Sequence, residues 1–142
     1  MLEVGLKYFR EAAPKHTADE EEDLFPILRK LASPRVSTAL ADVDRLESEH
    51  KTAAAWHSEV DDICGRWLRE GRLSERDATR LRELLGSLTE LYRFHIAAEE
   101  EKVFPTAQAE LSEAQKQVIG CRMASRRGVL FISEPHLLSQ AR

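Results

Sequence analysis

One string occurs twice in this chain and constrains it more than any other feature. Residues 16–26 read HTADEEEDLFP and residues 95–105 read HIAAEEEKVFP. Aligned without a gap, they share His, Ala, three Glu, Phe and Pro, seven of eleven positions, at a spacing of seventy-nine residues. On a helix, positions i and i+4 lie one turn apart on the same face. His16 and Glu20 therefore point at one spot, and so do His95 and Glu99. Repeated packing explains the copied apolar residues. It does not explain the copied His and Glu, because an ionisable side chain on a core face is costly unless it is paired or ligated. Imidazole plus carboxylate suits iron, zinc or manganese. Two such faces on facing helices put two His and two Glu around one cavity.

The rest of the chain supplies the helices. Its 142 residues suit one domain with a core of its own. Charged residues make up 32% and aromatics 6%, a mix rich in Ala, Leu, Glu and Arg that favours helix over sheet. ASPRVS (32–37), EGRLSE (70–75), ELSEAQ (110–115) and RRGV (126–129) punctuate the sequence. Between them apolar residues keep a 3-4 rhythm, as in Leu40, Val43, Leu46, His50, Ala53, Ala54 and His57, and again from Leu81 to His95. The spacing predicts four helical segments, at 2–31, 36–70, 74–111 and 112–127. Short connections make them antiparallel neighbours in an all-α, up-and-down bundle. The bundle is expected over residues 1–128, with 129–142 as a tail of unassigned structure. Pro14 is expected to bend or interrupt the first segment. Pro26 and Pro105 each remove an N–H and crowd the carbonyl four residues back, so matching kinks are expected at Glu22 and Glu101.

Within each acidic run successive residues turn by about 100°. Glu20 and Glu99 share the phase of their histidines. Glu21 and Glu100 either back up the ligands or face solvent, and Glu22 and Glu101 face outward. His50 follows Leu46 by four and is expected to face inward as a third nitrogen donor. His57 lies about 10 Å further along the axis, beyond a centre whose paired metals sit ~3.5–4 Å apart. His136 falls in the tail.

Other chemistries find little support. The formal charge is −4, and no basic stripe with interleaved aromatics marks a nucleic-acid surface. SRRG (125–128) reads as solvated surface or a helix C-terminus. Cys64 and Cys121 show no CxxC spacing and read as small residues in or near the core. The sequence carries no signal segment and no apolar run of membrane-spanning length, so a cytoplasmic protein is expected. A ferritin-like carboxylate enzyme would need a second Glu-x-x-His beside Glu47–His50. A hydrolytic zinc site would need a positioned base, and no phosphate-cradling glycine loop is present. An enzyme is not the expected reading.

With its doubled HxxxEExxxFP and the intervening LESEH (46–50), the sequence resembles the hemerythrin-like family, the His-His-Glu cation-binding domain, over nearly all of residues 4–128. The resemblance implies a four-helix bundle with a non-haem di-iron centre. Glu20 and Glu99 would be bridging carboxylates, and His16, His50 and His95 terminal ligands. Dioxygen, nitric oxide or peroxide would be the small ligand, or iron itself the cargo. Two departures stand out. The family usually begins with an earlier helix carrying a further His, and only Glu3 and Glu11 offer donors upstream of His16 here. Ala54 also stands where some members carry another His one turn after His50. The resemblance therefore leaves open one iron or two, and a groove where the first helix would lie, to be covered by 112–127, by the tail or by a second copy in a homodimer. The competing expectation is a metal-poor interaction bundle that keeps only the scaffold.

Overall fold

The computed structural model describes residues 2–129. Four helices run up and down. We label them α1 (residues 2–28), α2 (Pro34–Glu70), α3 (residues 75–110) and α4 (Glu113–Arg126). Serines start three of them. The Ser33 side chain accepts from Val36 N–H ahead of α2, with Pro34 in the first turn where its missing N–H costs nothing. Ser74 accepts from Asp77 N–H ahead of α3. Ser112 and Gln115 form a reciprocal capping box ahead of α4. Gly71, at φ 66°, ends α2 in the left-handed conformation that glycine adopts without strain. The four expected segments are thus present, with the first ending three residues early at Leu28 and the second beginning two residues early at Pro34.

The expected kinks take a different local form. Both α1 and α3 widen into π turns, at Tyr8–Ala12, Asp19–Leu24 and Glu99–Val103. Pro14, Pro26 and Pro105 each lie two residues beyond such a turn, in the first turn of the α-helix that resumes. A proline ring cannot face the carbonyl four residues back. One extra residue in the preceding turn shifts that carbonyl aside and lets the helix continue.

Ion pairs between neighbours follow the antiparallel course. Arg10 meets Asp61 and Arg29 meets Glu47 between α1 and α2; Arg66 meets Asp77 and Lys102 meets Asp42 between α2 and α3. Two apolar clusters fill the interior. One contains Leu24, Phe25, Leu28, Val43, Leu46 and Val103, closed by Ile119 of α4. The other contains Leu6, Val60, Ile63, Cys64, Leu84 and Leu88. The sequence-predicted polar residues lie between them.

Among the described residues, the fourth position of the bundle is filled only in part. α4 has 14 residues against 37 in α2, about 21 Å of helix. It runs antiparallel along the second half of α1, where Arg122 reaches Asp23 and Arg127 reaches Asp19. On the first half of α1, Val4 and Tyr8 are exposed, as is Leu85 on α3. Residues 113–126 thus cover only the second half of α1. The tail lies outside the described residues, and His136 with it. Among the described residues no helix is long and apolar enough to cross a membrane.

Leu46 is fully buried one turn before His50. Leu46→Ala should cost about 2–5 kcal/mol, the usual toll of a large-to-small change in a packed core. Urea denaturation of the metal-free protein checks this, and a loss below about 1 kcal/mol would show the cluster around Leu46 and Phe25 to be loosely packed.

Candidate metal centre

The two copied strings meet in the middle of the bundle. α1 supplies Glu20 from its second π turn. α2 supplies His50, and α3 supplies His95 and Glu99. One ligand atom from each of these four buried residues lies within 4.8 Å of the others. His95 Nε2 is 2.8 Å from Glu99 Oε1, and His50 Nε2 is 3.1 Å from Glu20 Oε2. His16 is at the rim. Its Nε2 is 3.5 Å from Glu20 and 3.8 Å from Glu99, and its side chain is half exposed. Four of the five sequence-predicted donors are thus brought together, with the fifth beside them.

The decisive contact is between the two histidines. His50 Nε2 and His95 Nε2 lie 3.2 Å apart. Each ring's other nitrogen faces a carboxylate: His50 Nδ1 is 2.9 Å from Glu21 and His95 Nδ1 is 2.8 Å from Glu49. A carboxylate only accepts, so each Nδ1–H donates outward and each Nε2 is the nitrogen left facing the cluster. The two Nε2 atoms face each other and the carboxylates. Both Glu20 side-chain oxygens and Glu99 Oε1 are buried without a hydrogen bond of proper geometry, despite the nearby ring nitrogens. Buried acceptors that face one another need a proton or a cation between them. Mixed nitrogen and oxygen donors of this kind fit a first-row transition-metal ion.

Protonation follows the geometry. Burial pushes the Glu20 carboxyl up, against the pull of His50. Burial also disfavours the charged form of Glu99, but contacts with His16 and His95 outweigh it and hold this carboxyl well below its ordinary range. The His16 ring is raised, chiefly by Glu99. The His50 ring is raised as well, because Glu20 and Glu21 outweigh its burial.

Glu21, left open between backing a ligand and facing solvent, orients His50, while Glu100 is exposed. Glu49 was not singled out from the sequence. It adjoins His50 yet serves His95 across the helix pair, and the available signal was that each buried ring needs an acceptor at Nδ1. His57 is buried outside the cluster. Its Nε2 lies 3.1 Å from Tyr92 Oη and its ring stacks on Phe9 at 4.3 Å. Burial lowers its pKa, which favours the neutral ring. A cavity of about 600 Å³ opens beside the cluster, with Phe9, Ala54 and Tyr92 on its wall together with His16, His50 and His95.

Comparison with known proteins agrees with this geometry. Residues 5–107 match the model of the hemerythrin HHE cation-binding domain. An uncharacterized protein of Haemophilus influenzae is 33% identical over 129 residues, which span 90% of this chain and 69% of that protein. No solved structure matches. A helical bundle, two copies of one His/Glu string converging on a single buried cluster, and a family match over most of the chain establish that this protein belongs to the hemerythrin HHE cation-binding domain family.

Proposed function

We propose that the chain is a non-haem iron protein that binds or senses dioxygen, nitric oxide or peroxide, or handles iron itself. The observation that carries this reading is the 3.2 Å approach of two inward-facing imidazole nitrogens beside unpartnered buried carboxylate oxygens. His50, His95, Glu20 and Glu99 would hold the first ion. Nitrogens 3.2 Å apart can both reach one ion at roughly 2.1 Å each, which supports one shared ion for this pair. His16, on the rim against both carboxylates, would serve a second and weaker position, which is the di-iron form. Bound iron supplies one-electron chemistry and a position for a small ligand. The chain's own residues fix the ring orientations through Glu21 and Glu49 and exclude bulk water with the flanking apolar clusters. They also leave an approach along the cavity past Phe9 and Ala54. Two free thiols, Cys64 and Cys121, suit a reducing cytoplasm.

Anaerobic titration with ferrous ion should show one tight site per chain and a weaker second. His95→Ala with Glu99→Ala should abolish both, and His16→Ala should remove only the weaker. Uptake that survives the double change would place the metal elsewhere. Protein that folds normally but takes up no ferrous ion would favour a metal-free scaffold role.

The pH dependence has a definite sign. In the metal-free protein His16 and His50 hold protons above the ordinary 6.5, and Glu20 above the ordinary 4.5. The stability those protons bring is complete below the ordinary values and is lost as pH rises through the raised ones. A metal ion needs bare rings and ionised carboxylates, so it gains where the protons lose. The rise in melting temperature on adding ferrous ion should therefore be larger near about pH 7.5 than near about pH 5.5. Equal rises at both would argue against histidine ligation.

A further inference from the structure

The two copies of the repeated string differ in charge at two places. Where the first copy has Asp19 and Asp23, the second has Ala98 and Lys102. Glu20 and Glu99 are equally buried in their copies. A cluster carboxylate can therefore occupy this position without acids beside it, and Asp19 and Asp23 need another reason. Both are almost completely buried, at 4% and 2% exposure, which a carboxylate tolerates only with a partner.

Their partners come from α4, which lies outside the residues matched by the family. Arg126 binds Asp19, and its other terminal nitrogen lies 3.0 Å from Asp23 and 3.1 Å from Glu22. Arg122 adds a contact to Asp23 at 3.2 Å, and Arg127 one to Asp19 at 2.5 Å. Five consecutive acids, 19–23, occupy this π turn. Glu20 faces the cluster and Glu21 holds His50. The remaining three, Asp19, Glu22 and Asp23, are all taken by arginines of α4. The second copy has no such arrangement among the described residues. Glu100 and Glu101 are exposed, and Lys102 pairs with Asp42 of α2. The basic SRRG stretch, expected to be solvated surface or a helix C-terminus, lies at the C-terminal end of α4 and also anchors an acidic turn.

We propose that Arg126, supported by Arg122 and Arg127, is a positioning residue for the metal centre. It fixes the π turn of α1 so that Glu20 faces His50 and His95. A π turn is held by fewer well-aligned backbone bonds than an α turn, and five adjacent carboxylates repel one another. Without the arginines the turn has reason to rewind or swing outward, which withdraws Glu20. An alternative role, simple neutralisation of the acidic run, predicts the opposite sign, because removing a cation beside the site would tighten binding of another cation.

This inference rests on the metal-binding reading, and Arg126→Gln tests it with two readouts. The first is ferrous affinity, measured anaerobically. It should fall about tenfold, as when the hydrogen-bonded support of a ligand is lost, and Arg126→Lys should recover part of the loss. The second is amide hydrogen exchange in the metal-free protein. Residues 19–24 should exchange faster in Arg126→Gln, while residues 99–103, the matching π turn without the arginines, should be unchanged. Asp19→Asn with Asp23→Asn gives a second variant that keeps shape and removes the pairing charges, and it should behave likewise. Unchanged or tighter ferrous binding by folded Arg126→Gln, or equally faster exchange in both π turns, would overturn the positioning role. Wild-type protein that takes up no ferrous ion would overturn the metal-binding reading, and the clamp's role at a metal centre with it.

Discussion

Two imidazole nitrogens brought to 3.2 Å of each other, beside buried carboxylate oxygens that lack a hydrogen-bond partner, are the constraint on which the rest of this structure depends. The bundle points both Nδ1 atoms outward, to Glu21 and Glu49, and so turns both Nε2 atoms inward. In water such an arrangement would relax. Here it is held by helices whose apolar clusters lie on both sides of the polar layer. The packing that stabilises the fold thus works against the charges at its centre. Protons reconcile the two at low pH, as the raised His16, His50 and Glu20 protonation equilibria express. A metal ion would reconcile them at neutral pH.

The centre is asymmetric although its sequence is duplicated. The second copy delivers both its donors, His95 and Glu99, into the buried cluster. The first copy delivers Glu20, but its His16 stays half exposed. The same asymmetry appears in packing. Phe25 of the first copy is wholly buried against the cluster sealed by α4, whereas Phe104 of the second is 37% exposed. The half-length α4 covers the bundle beside the first copy and leaves the far end of α1 open at Val4 and Tyr8. Among the described residues one end of the bundle is covered by α4 and the other is exposed, with the cavity beside the cluster lined in part by Tyr8 and Phe9 of that exposed half.

Much of this was legible in the sequence, and what was not has physical reasons. The breaks at Ser74, Ser112 and Gly71 were legible because caps act locally, whereas Ser33 was not read as a cap and α2 begins two residues before its expected start. The phase of Glu20 with His16 and of Glu99 with His95 followed from helical geometry alone. Glu49 escaped because its partner belongs to another helix, and residue spacing along one chain does not report contacts across two. Asp19 and Asp23 escaped for the same reason. Acids in a run read as solvated until a helix a hundred residues later brings Arg122, Arg126 and Arg127 to them. The prolines were read correctly as disturbances, but their outcome, a π turn in place of a sharp bend, depends on how neighbouring helices hold the chain.

The most direct measurement is X-ray absorption spectroscopy at the iron edge of protein loaded with one ferrous ion per chain. The account predicts a coordination shell with two imidazoles and carboxylate oxygens, losing one imidazole in either His50→Ala or His95→Ala. A shell with no imidazole, or one unaltered by both substitutions, would contradict it.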